Sequence, residues 1–338
     1  MNYRQVDDAV VHYAYGRLID TFSDKRVREQ AAQDLGQHVS RLLPSLSFRT
    51  GAIGAEAADR FAADGVHCFD PFLSRQQCIE VLRHLSAIPV FDNQSHHDSS
   101  GRPYAFETAC NTFPVASYRV ADILHTPHLL EAMLSPQILE LAERYLGCVP
   151  TMYGTNLYWS FPGHEPVRGV QHYHRDFDDL KFVTLFILVN DVDSEGGAHD
   201  FIPGTHLRDV NLRCFQEWQH AAPASPAEGD LHARFRDPQI LFAMNPWIDP
   251  LIESVFASRI QRLAGPAGTT FAEDNFGYHR GVRPTRPRLL FWARYGYGPN
   301  AYTARVKYDR VPASSLSGRM GDSASLRYLT RMLIDWDN

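Results

Sequence analysis

Gln171-His172-Tyr173-His174-Arg175-Asp176, followed closely by Phe182-Val183-Thr184-Leu185-Phe186-Ile187-Leu188-Val189-Asn190, is the stretch on which the reading of this chain turns. The second run is β-branched, aromatic and almost wholly apolar, the pattern of a strand covered on both faces. In extended chain, residues i and i+2 point the same way. His174 and Asp176 would therefore present an imidazole and a carboxylate side by side. One more histidine from elsewhere would complete a 2-His-1-carboxylate triad, which holds Fe(II) on one face and leaves the other open. The same spacing occurs at His96-His97-Asp98, in a Ser- and Asn-rich stretch with no strand pattern, and is not read as a site. His172-x-His174 also has same-face spacing and leaves open a cupin-type metal site.

Working outward, Met152 to Phe161, Thr269 to Phe276 and Arg288 to Tyr297 have strand texture, and Gly196-Gly197 and Pro203-Gly204 read as turns. Upstream the texture is helical. Val6, Val10, Tyr13, Ala14 and Leu18 share one helix face, and a second helix is expected from Asp24 to Leu43; these faces suit packing or a homodimer surface. A helix through Ala58 and Phe61 ends at Asp64-Gly65, Val66 to Phe69 is a short strand, and Ser74 with Gln77 forms a capping box. Residues 91–112 read as loop, and Ser135-Pro136 opens a helix closed by Gly147. Ile252, Phe256, Ile260 and Leu263 have helical spacing inside a mixed segment, 212–265, that interrupts the strands. A last helix is expected from Ser323 to Trp336. The division is a helical extension at 1–50, a domain at 51–312 with a helical insertion at 212–265, and a C-terminal helix at 313–338. The fold class is mainly β with flanking helices, a sandwich or barrel core wrapped by helical segments.

Several pieces then fall into one order: Phe61 with Asp64-Gly65, the Ser135–Gly147 helix, Phe161-Pro162-Gly163, Gln171 ahead of His174, Gly196-Gly197 with Pro203-Gly204-Thr205-His206, and His279-Arg280. Over roughly residues 58–300 this arrangement resembles the phytanoyl-CoA dioxygenase family of Fe(II)/2-oxoglutarate-dependent oxygenases. The resemblance implies a double-stranded β-helix (jelly-roll) core. It implies His174, Asp176 and His279 as iron ligands, with 2-oxoglutarate and O2 as cosubstrates. Arg288 matches the position that binds the far carboxylate of 2-oxoglutarate, a task suited to the planar guanidinium fork. Thr184 and Gln171 are further cosubstrate-contact candidates. Arg280, Arg283 and Arg294 are expected in surface pairs or against an anionic substrate, and His199 and His206 in turns or around the site. Where the family carries Lys, this chain has Tyr158-Trp159-Ser160. Halogenating relatives replace the acidic ligand with a small residue; Asp176 is intact, so hydroxylation, desaturation or ring chemistry of a small molecule is implied, possible in secondary metabolism. A metalloenzyme that uses no 2-oxoglutarate, or a non-catalytic jelly-roll binding protein, are the other classes.

Composition narrows the partners. The 338 residues carry 33 Lys and Arg against 39 Asp and Glu, a net charge of −6 that does not suit a nucleic-acid binder. No apolar run is long enough for a membrane helix, and the N-terminus lacks a signal-peptide pattern. The five cysteines are scattered, as expected of reduced thiols in a cytoplasmic protein.

Overall fold

The computed structural model describes residues 25–93, 101–164, 169–242, 248–298 and 309–336. Helices Lys25–Leu42, Ala55–Asp64, Arg75–Leu85 and Pro136–Leu146 lie where the sequence pattern puts them. Their ends follow local chemistry. Gly65 takes φ 74° and its N–H donates to Phe61 O (2.7 Å), closing one helix. Any Cβ there would sit 2.6 Å from His206 Nδ1, so glycine is required twice over. Ser74 and Gln77 form the reciprocal capping box. The expected helix over Val6 to Leu18 and the His96-His97-Asp98 stretch lie outside the described residues.

The strands are β1 (Val66–Phe69), β2 (Val90–Asp92), β3 (Pro103–Tyr104), β4 (Val115–Ser117), β5 (Thr151–Ser160), β6 (Val183–Leu188), β7 (His199–Phe201), β8 (Gln261–Leu263), β9 (Thr270–Glu273), β10 (His279–Gly281), β11 (Arg288–Gly296), β12 (Val311–Pro312) and β13 (Ile334–Asp335). A large antiparallel sheet has the order β1-β9-β6-β11-β5-β4-β2-β3, and a second has the order β10-β7-β8. Side-chain alternation gives the large sheet two buried faces. Val183, Leu185 and Ile187 of β6 with Leu289, Phe291 and Ala293 of β11 pack under the helices. Phe186, Leu188, Leu290 and Trp292 face the other way and pack with Phe201 and Leu263 of the second sheet. The space between the sheets is where the polar cluster described below sits.

Four local expectations are corrected. Residues 91–112 hold β2, β3 and a helix, Phe106–Thr112, because Val90, Phe91 and Ala109 are buried and anchor a stretch whose polar residues suggest only loop. In the insertion, helices run Arg208–His220, Pro226–Arg234 and Asp249–Val255, but Leu263 is in β8, paired with His199, so its helical spacing from Phe256 is coincidental. The C-terminal helix spans only Ala324–Thr330; beyond it Ile334 pairs with Val311 in a parallel bridge that buries both. Finally, His174 to Asp176 is not in a regular strand. His174 forms an isolated antiparallel bridge with His279, and Asp176 N donates to Asn275 O (2.9 Å).

Candidate metal centre

That bridge sets the geometry. His174 N donates to His279 O (3.0 Å) and His279 N to His174 O (3.1 Å), which brings the two rings to 4.2 Å between centroids. Each ring is oriented by a backbone carbonyl two residues away in sequence: His174 Nδ1 is 2.8 Å from His172 O and His279 Nδ1 is 3.0 Å from Gly277 O. A carbonyl only accepts, so each Nδ1 is the donor and each Nε2 keeps its lone pair. Both Nε2 atoms turn toward Asp176, at 3.9 Å from Oδ1 for His174 and 3.6 Å from Oδ2 for His279. One candidate ligand atom from each of the three residues lies within 4.8 Å of the others, so the three could hold one metal ion between them.

Electrostatics hold Asp176 and His174 in ligating form and pull His279 the other way. Burial would raise Asp176, but Arg294 first, and then the two histidines, hold its carboxyl well below the usual range. Burial and the neighbouring His279 push His174 down to about 4. The set is thus an ionised carboxylate and an uncharged imidazole at neutral pH, with His279 drawn upward against its burial by Asp176.

Arg294 is the residue that sequence reading misplaced. It is buried, with Nη2 2.5 Å from Asp176 Oδ2 and Nη1 bonded to Asp178 Oδ2. In the sequence Arg288 and Arg294 share one parity of the β11 strand, which links their faces without showing that the face is buried. Arg280 pairs with Asp200 (3.1 Å) and Glu253 (2.8 Å).

Arg288 is 2% exposed. Its Nη2 donates to Ser160 Oγ (3.0 Å), its Nη1 to Gly197 O, and its Nε has no partner. Among the described residues no carboxylate pairs with it. A buried guanidinium with an orphaned N–H and no counter-ion fits an incoming carboxylate. Gly281 leaves the approach open, since a Cβ there would sit 3.2 Å from Arg288 Nη2.

A cavity of ≈ 250 Å³ opens on the cluster, with His174, Asp176, His279, His199, Tyr158 and Asn275 in its wall. Arg288, Thr184 and Gln171 are not in that wall: Thr184 Oγ1 is buried without a hydrogen bond among the described residues, and Gln171 ends a 3-10 turn from Gly169. His172 is directed elsewhere. Its Nδ1–H donates to Asp249 Oδ2 (2.9 Å) in the insertion, and Tyr173 N donates to Asp249 Oδ1 (3.0 Å). His206 Nε2 meets Ala62 O (3.0 Å). Two features have no local sequence signal: the Asn275 amide, fully buried with neither end partnered among the described residues, and a His199–Glu273 pair.

A family model described as Phytanoyl-CoA dioxygenase (PhyH) matches residues 61–240, just over half of the chain. The chain belongs to the phytanoyl-CoA dioxygenase family. Its members are non-haem oxygenases that use Fe(II), 2-oxoglutarate and O2 on small molecules, and so is this one an Fe(II)/2-oxoglutarate-dependent oxygenase by family. The matched region contains His174 and Asp176 and stops before His279 and Arg288. No curated protein matches the sequence. Among solved structures, the chain is similar to the non-heme alpha ketoglutarate dependent epimerase SnoN from nogalamycin biosynthesis, at 20% identity over 71% of this chain and 82% of that one, with a TM-score of 0.44. The carbocyclase SnoK from the same biosynthesis is similar at 18% identity over 72% and 84%, TM-score 0.41. EvdO2 from Micromonospora carbonacea var. aurantiaca, complexed with 2-oxoglutarate, is similar at 12% identity over 72% and 90%, TM-score 0.43. No described helix is long and apolar enough to cross a membrane.

Proposed function

We propose that this oxygenase hydroxylates a small organic molecule, with His174, Asp176 and His279 holding Fe(II) and Arg288 holding the far carboxylate of 2-oxoglutarate. The observation that carries the reading is the convergence of three ligand atoms within 4.8 Å, together with Arg288, a buried guanidinium with no carboxylate partner among the described residues. The two sheets are read as the walls of a jelly roll, within a domain at 51–312. When bound, Fe(II) and 2-oxoglutarate supply an oxidant drawn from O2, with succinate and carbon dioxide as by-products. The chain's own residues do the rest. The His172 and Gly277 carbonyls fix the ring orientations, and Arg294 holds one edge of the Asp176 carboxylate. Phe186 and Trp292 line the wall and exclude water from the reaction space. Because Asp176 fills the third protein position, no coordination place is reserved for a halide, which supports hydroxylation over halogenation.

The test needs no substrate. Metal-free protein mixed anaerobically with Fe(II) and 2-oxoglutarate is expected to show the visible charge-transfer band of the chelate, and air should then release succinate slowly. An Asp176→Ala, His279→Ala double variant should lose both. A wild type without the band, or a double variant that keeps it, defeats the reading.

A further inference from the structure

The buried His199–Glu273 pair adjoins the candidate ligands. His199 is the ladder partner of Gly281, the glycine that faces Arg288 Nη2. Arg288 Nη1 donates to the carbonyl of Gly197, two residues before His199 in sequence. On the other side the His199 ring stacks on His279, with centroids 5.7 Å apart and planes at 18°. His199 therefore adjoins both His279 and the glycine that faces Arg288, the two ends at which 2-oxoglutarate would be held.

The ring is fixed. Its Nε2 lies 2.9 Å from Glu273 Oε2, and Phe186 and Phe271 pack against it at 5.0 and 5.6 Å. Glu273 is fully buried and its Oε1 has no partner. With Nε2 taken, the remaining polar atom is Nδ1, which makes no hydrogen bond among the described residues, and His199 lines the cavity. Packing alone does not account for this pair. A leucine would fill the aromatic niche, and an apolar pair avoids desolvating a carboxyl group.

We propose that His199, held in place by Glu273, is a second polar contact for 2-oxoglutarate, made by Nδ1 to a carboxylate oxygen of the cosubstrate. The inference rests on the functional reading above. His199 touches the cosubstrate, and Glu273 is a positioning residue that acts through it.

Anaerobic titration of 2-oxoglutarate into the Fe(II)-loaded protein, read by the charge-transfer band, tests this. His199→Leu should raise the 2-oxoglutarate Kd about tenfold, the weight of one hydrogen bond to a charged group. Its Fe(II) affinity, measured without 2-oxoglutarate by competition with a coloured chelator, should stay within about twofold. His199→Gln, which keeps a polar group and serves if the leucine variant does not fold, should lie between wild type and His199→Leu. Glu273→Leu should weaken 2-oxoglutarate binding, and Glu273→Gln, which can still bond Nε2, should restore most of it. Wild-type 2-oxoglutarate affinity in folded His199 variants, or a loss of Fe(II) affinity as large as the loss of 2-oxoglutarate affinity, overturns the proposal. If the wild type binds no 2-oxoglutarate, the functional reading itself falls; if it binds and Arg288→Ala does not, while the His199 variants match wild type, this inference alone falls.

Discussion

Arg288→Met separates a residue that holds a ligand from one that holds the fold. Burial pushes the Arg288 pKa down, which means that the charged form sits in this pocket at a cost. Its bonds to Ser160 and Gly197 O offset part of that cost, Nε gains nothing, and no described carboxylate compensates the charge. Methionine has comparable length and no charge. Without 2-oxoglutarate, its unfolding free energy should therefore match wild type or exceed it by about 1–2 kcal/mol, as for buried charges replaced by apolar groups. With 2-oxoglutarate the order reverses. Removing one partner of a buried ion pair costs about 3–5 kcal/mol, which at about 1.4 kcal/mol per decade raises the 2-oxoglutarate Kd by two to three decades or more. At roughly 100 times its Kd, 2-oxoglutarate should stabilise the wild type by about 2.7 kcal/mol, and the same concentration should leave the variant almost unchanged. Anaerobic urea melts of Fe(II)-loaded protein with and without 2-oxoglutarate measure both quantities. A variant that is weaker than wild type without 2-oxoglutarate and still gains the full increment with it would refute the assignment, because that is the behaviour of a structural arginine.

Arg294→Leu leaves Asp176 and Asp178 without the cation they share, so it should lower apo stability by about 3–5 kcal/mol in urea melts; a Lys replacement should recover part of this as charge without the fork. Glu273→Gln should change the pH dependence of stability. Burial raises Glu273 to about 8, so its protonated form is favoured in the native state, and the wild type loses stability relative to the variant as pH rises from the ordinary carboxyl value, ~4.5, to about 8. The steepest slope is about 1.4 kcal/mol per pH unit and flattens above about 8; metal-free urea melts between pH 5 and 9 check it, and parallel curves for the two proteins would contradict it.

What could be read from sequence was local or periodic. The apolar run over β6 announces a strand buried on both faces, and Ser74 with Gln77, Gly65 and Gly147 mark helix ends through the backbone conformations they permit. His174 and Asp176 were legible as a same-face pair even though regular strand geometry is absent there, because the hydrogen bonds to His279 and Asn275 keep the backbone extended. What escaped depended on contacts distant along the chain. Whether Arg294 meets solvent or Asp176 is decided by the pairing of β11 with β5 and β6, which no window around Arg294 contains. His199 and Glu273 come from different sheets, and β2 is a strand because Val90 and Phe91 find a core, despite polar neighbours that signal loop.

Asp249 deserves a last consequence. It belongs to the insertion between β7 and β8, yet it grips His172 and the Tyr173 amide immediately before His174. The insertion thus has its foothold on the backbone that aims the His174 imidazole. Chimeras that exchange the whole insertion should therefore disturb the placing of His174, and with it the proposed iron site, unless the graft brings an acid to the same spot, whereas swaps confined to residues 212–242 should leave that foothold intact.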